Sequence, residues 1–251
     1  MMKIRGFIEG FYNRKPKKND YGFENSNITH YIYAPKEDSY IRQKWRLKDK
    51  SLEARSIPKN IAQVYTLSPG ADFNRKSKKD FNFLLSKFNF AIDKGFSEVG
   101  LLFDDIDINN IGIESDDKDL GKFHGELISE VTTKLGLSNG WFCPSIYCES
   151  FSKKGIQNDK YLEGVSETIN NDLFFLWTGP KVISDFISQD HLKELGQVIN
   201  NPVVIWDNFY ANDYCPTRLF LGDITGRDFF RGNPYGLSLI HISEPTRQHW
   251  I

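Results

Sequence analysis

Cysteine is scarce in this chain. Cys143, Cys148 and Cys215 are the full set, odd in number and without a CxxC pair, which excludes a disulfide framework and a cysteine-ligated zinc site. Reduced thiols in a cytosol are therefore expected. Long hydrophobic runs are also missing. No window approaches the roughly 18 apolar residues that a membrane span needs. The opening MMKIRGFIEG lacks the apolar core of a signal peptide, so a cytoplasmic protein is expected. Charge of either sign is not in surplus: 32 basic against 33 acidic residues give a formal net charge of -1 and a pI near 6.5. That balance provides no polycation for nucleic acid and no basic face for a membrane surface. The five histidines, His30, His124, His191, His241 and His249, show no ligand spacing, and no metal is expected. Internal repeats, low-complexity tracts and Ser/Gly linkers are absent too, so nothing marks a domain boundary inside the body of the chain.

What is present is an alternation of short apolar strands with helical periodicity. At 251 residues the chain suits one large α/β domain, since barrels of about 250 residues are common as single units. Strands are predicted over 3–9, 28–35, 62–69, 98–107, 141–147, 172–178 and 203–208. Phe81, Leu84, Leu85, Phe88 and Ile92 recur at helical spacing before a stop at Gly95. Leu120, Phe123, Leu127, Val131 and Leu135 repeat the pattern before Gly136, and Leu192, Leu195 and Val198 mark a third helix. Strand followed by helix, joined by short links, predicts a parallel sheet of βα units. Seven strands are one short of an eight-fold barrel.

The tail bears on that count. Residues 237–247, LSLIHISEPTR, look like the translation of a transposase end and sequencing adapter used in library preparation. The catalytic domain is therefore expected over 1–236, incomplete at its C-terminus, with 237–251 a non-native tail. The alternative is a genuine eighth strand, because LSLIHI alternates.

Chemistry-bearing residues cluster at the strand ends. EVGLLFDDID, residues 98–107, is a strand buried on both faces that ends in two adjacent carboxylates, Asp104 and Asp105. In a parallel barrel that end carries the reaction. The plain alternative is a helix cap or a wet turn. Adjacent acids are badly placed to flank a sugar ring from opposite faces, yet they can divide labour on one side, because like charges held close push their pKa values apart. A hard cation on Asp104, Asp105 and Asp107 is a rival reading. YAPKED at 33–38 by itself reads first as a solvated turn, and CPSIYC at 143–148 equally as core, though it sets the Tyr147 phenol at the same rim. IWDNFYANDY at 205–214 is denser, and its amides and acids suit hydroxyl recognition beside the flat wall of Trp206.

Together GFIEGFY (6–12), YIYAPKED (31–38), LSPGAD (67–72), LLFDDID (101–107), CPSIYC, LWTGPKVIS (176–184) and IWDNFYANDY with RLFLG resemble glycoside hydrolase family 84, the protein O-GlcNAcases and related β-N-acetylglucosaminidases. The motifs occur in the family's order across most of 6–227. The resemblance implies a (β/α)8 TIM barrel, here truncated before or within its eighth strand. It implies an enzyme without metal or organic cofactor, acting on O-GlcNAc-modified protein or a GlcNAc-terminated glycan, with a noncatalytic sugar-binding module as the alternative.

By position, the resemblance makes Asp105 the general acid/base and Asp104 the residue that holds the substrate acetamido N–H. The sugar's own acetamido oxygen is then the nucleophile, through an oxazoline. Tyr147 would aim that oxygen, Trp206 would wall the acetamido methyl, and Asn208 would bind nearby. Asp213, Lys36 and the Gly6 carbonyl would hold hydroxyls, and Asn233 matches a sugar-binding asparagine after a deletion. Asn13 replaces the family's usual glycine, and 14–27 and 48–60 are shorter than its first two helices, so those crossovers are expected to be only partly helical.

Overall fold

The computed structural model describes residues 4–10, 23, 26–54, 56–104, 118–211, 223–228 and 236–241. Its strands are β1 (Ile4–Glu9), β2 (His30–Tyr33), β3 (Ala62–Leu67), β4 (Glu98–Leu102), β5 (Trp141–Cys143), β6 (Phe174–Trp177), β7 (Val203–Asp207) and β8 (Gly236–His241). They form a closed ring in sequence order in which every neighbouring pair is parallel. The predicted TIM barrel is thus the observed architecture. Seven strands are those expected from the sequence, although β4 ends at Leu102 and β5 at Cys143, short of the expected 107 and 147. The ring, expected to lack its last strand, is closed by β8, which pairs with β7 on one side and β1 on the other. Backbone pairing needs only an extended segment of sufficient length and is indifferent to the origin of LSLIHI.

Two apolar layers result from the strand period of two. Ile4, Ile8, Ile32, Val64, Leu102, Trp141, Leu176, Val204 and Trp206 fill the barrel interior. The alternate residues, among them Tyr31, Tyr65, Val99, Leu101, Phe142, Phe175 and Ile205, face outward against the surrounding helices. Those helices are α1 (Lys78–Asp93), α2 (Lys118–Leu135), α3 (Lys160–Thr168) and α4 (Gln189–Leu195).

Helix boundaries follow local chemistry. Ser77 caps α1, its hydroxyl accepting from Asp80 N at 3.2 Å. The predicted stops hold, for Gly95 and Gly136 take φ of 101° and 68°, values that suit glycine. The described residues between β2 and β3 form turns rather than a helix, in keeping with the shortened crossover.

Helix α3 was not predicted. Its start is set by Asp159, whose carboxylate accepts from Leu162 N at 2.9 Å, and its apolar face is only Tyr161, Leu162 and Val165. It packs on α2 backbone to backbone. A Cβ on Gly121 would lie 2.0 Å from Tyr161 O, and one on Gly164 would lie 2.1 Å from Lys118 O.

Because backbone cannot yield as a side-chain tip can, Gly121→Ala and Gly164→Ala should each destabilise the fold by about 1–3 kcal/mol. Gly136→Ala meets open space and carries only its backbone strain, so it should cost less in the same denaturant titration.

Candidate active site

In a wholly parallel barrel the C-terminal ends of all strands open at one mouth. Lys36 is exposed on the turn after β2. Asp104 is half-buried just beyond β4, Tyr147 is half-buried beyond β5, and Asn208 directly follows β7. Gly6 and Trp206 lie within β1 and β7 on inward positions, and both pair with Ser238, one on each side. Two strand spacings separate them, roughly 10 Å. Asp105, Asp107, Asp213 and Asn233 lie outside the described residues.

The inward series on β4 is Glu98, Gly100, Leu102 and then Asp104, while Phe103 between the last two faces out. The strand therefore has a carboxylate at each end. The lower one is committed to structure: Glu98 Oε2 accepts from Trp141 Nε1 at 2.6 Å, and Oε1 lies 3.7 Å from His30 Nε2. Burial pushes its pKa up, but these donors outweigh it and hold the acid below its ordinary value. A cavity of about 710 Å³, lined by Lys59, Asn60, Gln63, Glu98 and Asn139, opens at this N-terminal end. It is on the opposite face from the predicted site residues.

The upper end of β4 is held from behind. Phe103 N donates to Cys143 O at 2.9 Å, tying the exits of β4 and β5 together. The Phe103 ring stacks on His124 of α2, centroids 3.8 Å apart and 9° from parallel. Tyr161 of α3 completes the support. Its hydroxyl accepts from Ser145 N at 2.9 Å, so its own hydrogen goes to His124 Nδ1, also at 2.9 Å. That direction requires a neutral imidazole with its proton on Nε2. Burial, with a smaller push from the Arg75 charge, accordingly holds the His124 pKa at about 3. One buried chain thus steadies the strand end carrying Asp104 and the segment leading to Tyr147.

The remaining rim is cross-linked in the same manner. Tyr147 packs against the inner cluster that contains Trp206, sets its ring edge-on to Phe151 at 4.9 Å, and accepts from Thr178 N at 2.9 Å through its carbonyl. Asn208 Nδ2 donates to Val182 O at 2.8 Å, so the amide oxygen is the atom that can accept from a ligand. The turn bearing Lys36 is pinned by Asp38, which accepts from Tyr33 Oη at 2.6 Å and from Tyr40 N at 2.8 Å. Buried Lys87 of α1 donates to Leu47 O and lies 5.4 Å from the Tyr40 ring, fixing the far end of that segment. Desolvation lowers the Lys87 pKa to about 8.

His124, Tyr161, Lys87, Asp207 and Arg227 are supporting residues that sequence reasoning passed over. No motif distinguishes them, because their partners lie far away in the chain. Asp207 alone had a signal, lying between Trp206 and Asn208 in the dense segment at 205–214. Among the described residues, no cluster of His, Cys, Asp or Glu could hold a metal ion, and no helix is long and apolar enough to cross a membrane. Cys143 and Cys148 are buried, the latter with its sulfur 3.2 Å from Ser150 Oγ.

The fold is a (β/α)8 barrel with a carboxylate, a phenol and an amide at its C-terminal mouth. A family model described as beta-N-acetylglucosaminidase matches residues 5–230. The chain is 33% identical over 239 residues to the Protein O-GlcNAcase of Rattus norvegicus and equally to that of Mus musculus. Those alignments cover 88% of this chain and 26% of each relative, so the chain spans about a quarter of their length. A mutant of the Thermobaculum terrenum O-GlcNAc hydrolase shares the fold with a TM-score of 0.78 at 22% identity, covering 97% of this chain and 56% of that one. The chain belongs to the beta-N-acetylglucosaminidase family of glycoside hydrolases, family 84, which its motifs resemble.

His124→Phe keeps the stack on Phe103 but leaves the Tyr161 hydroxyl without its acceptor, and should cost about 1–3 kcal/mol at pH 7. The folded pKa lies below the unfolded value of about 6.5, so the unfolded wild type binds the extra proton as pH falls. Wild type alone loses that stability, about 2 kcal/mol by pH 5. Denaturation midpoints at the two pH values should therefore show the gap between variant and wild type narrowing.

Proposed function

We propose that the protein is a retaining exo-β-N-acetylglucosaminidase that removes O-linked N-acetylglucosamine from Ser and Thr of proteins by substrate-assisted catalysis. The observation that carries this reading is the position of Asp104, at the exit of a strand buried on both faces and at the same mouth as Tyr147, Trp206 and Asn208. Family membership supplies the reaction class. The naming of both curated relatives as Protein O-GlcNAcase supports the protein-linked sugar as substrate.

Two neighbouring acids can serve one bond if the substrate brings its own nucleophile. The acetamido oxygen attacks the anomeric carbon from the face opposite the leaving group. Asp105 gives its proton to the departing glycosidic oxygen as that bond breaks. Asp104 accepts a hydrogen bond from the acetamido N–H and stabilises the positive charge that grows there, an electrostatic role strengthened by its half-buried setting. Tyr147 donates to the acetamido oxygen and aims it.

In the second half, Asp105 takes a proton from water, the water oxygen attacks the anomeric carbon, and the oxazoline, still protonated on the nitrogen that Asp104 holds, opens back to the acetamide. Two displacements leave the configuration retained. Trp206 forms the wall for the acetamido methyl, and Asn208 binds beside it. Asp213, Lys36, Asn233 and the Gly6 carbonyl hold the ring hydroxyls. The scheme uses no metal and no organic cofactor.

An aryl 2-acetamido-β-glucoside should be cleaved at least on the order of a hundredfold faster than the matching β-glucoside, which lacks the nucleophile. Equal rates would end the substrate-assisted scheme. Asp105→Ala should slow substrates with poor leaving groups by about 10²–10⁴ and spare activated aryl leaving groups, as read from kcat/KM across a leaving-group series. Binding of an oxazoline-mimicking inhibitor without any turnover would identify a sugar-binding module instead.

A further inference from the structure

We infer that Arg227 is a positioning residue for the sugar subsite, acting through the buried carboxylate of Asp207 to fix Trp206 and Asn208 at the mouth. The inference rests on the functional reading above and concerns residues that touch no substrate in it.

Asp207 is the last residue of β7 and is almost fully buried. It alternates with Trp206 and Asn208, so whatever grips it from outside sets the direction of its two neighbours. Arg227 grips it with both arms of the fork: Nε lies 2.6 Å from Oδ2 and Nη2 lies 2.8 Å from Oδ1. The remaining donors go to backbone carbonyls, Nη2 to Ser184 O at 3.0 Å and Nη1 to Thr225 O at 3.1 Å, with Asp185 O and Gly226 O each at 3.3 Å. Phe209 covers the guanidinium at 5.0 Å from its ring centroid.

Three rim segments therefore meet on one side chain: the loop after β6, the exit of β7, and residues 225–228. A short backbone bridge reinforces the junction, with Ile187 N donating to Gly226 O at 2.8 Å and Asp228 N to Ile187 O at 3.2 Å. Only glycine permits this approach at 226, where φ is 69° and a Cβ would lie 2.1 Å from Asp185 O. The same β6 loop supplies Val182 O, which holds the Asn208 amide. Arg227 thus sets both the strand end that carries Asn208 and the loop that orients its side chain. A lysine has one point charge and cannot reproduce the fork.

The test compares wild type with Arg227→Lys and with the double variant Arg227→Met/Asp207→Asn, which leaves no charge buried alone. N-acetylglucosamine binding is read by tryptophan fluorescence, and kcat and KM are measured on an aryl 2-acetamido-β-glucoside across pH. Both variants should keep the wild-type circular dichroism spectrum and the pH profile of kcat. Both should raise the N-acetylglucosamine Kd and KM by roughly ten- to a hundredfold, the scale on which small displacements of binding groups act. Folded variants with unchanged Kd and KM would overturn the inference and leave the functional reading standing. Wild type that neither binds the sugar nor cleaves the glycoside would overturn both.

Discussion

Everything in this molecule depends on the parallel hydrogen-bonded ring. Parallel strands must be covered on both faces, which is why β4, β5, β6 and most of β7 read as apolar runs, and a ring has no unpaired edge. The same constraint sends all polar character to the strand ends, and parallelism brings corresponding ends together. β4 shows the consequence on one strand. Glu98 at its entry is bound by Trp141 and His30 and serves the fold, whereas Asp104 at its exit stands at the mouth with Tyr147 and Asn208.

Residues facing outward just below the mouth do a second kind of work. Phe103 and Asp207 adjoin proposed site residues and are gripped from outside the barrel by His124 and Arg227, while Tyr161 holds the backbone N of Ser145, two residues before Tyr147. The alternation of the strand converts that outside grip into inside precision, since holding the backbone at one residue fixes the Cα–Cβ directions of its neighbours. The grips are also electrically simple. His124 is neutral by its hydrogen bonding and by burial, and the Arg227 charge is matched by Asp207.

The apolar runs and the glycine stops were legible in the sequence because they depend on local periodicity and backbone freedom. They placed seven strands, helices α1, α2 and α4, and the acid-bearing exit of β4. Asp104 was legible as a carboxylate at a strand exit because it closely follows an apolar run, whereas Lys36, Tyr147 and Asn208 were singled out as site residues only through the family's motifs. Helix α3 was not, because its apolar face is short and interrupted by Gly164, a residue that reads as a breaker and is in fact the point of closest approach to α2. The closing strand was legible only as an alternation without a definite place.

The sequence by itself determined which segments must be buried on two faces and which residue types stand at their exits, since a run of apolar side chains has no other stable setting. Only the tertiary structure decided which distant side chains support those exits. Asp207 and Arg227 are 20 residues apart, and His124 and Tyr161 are 37 apart. Their pairing depends on hydrogen-bond geometry and burial, which exist only after the ring has closed.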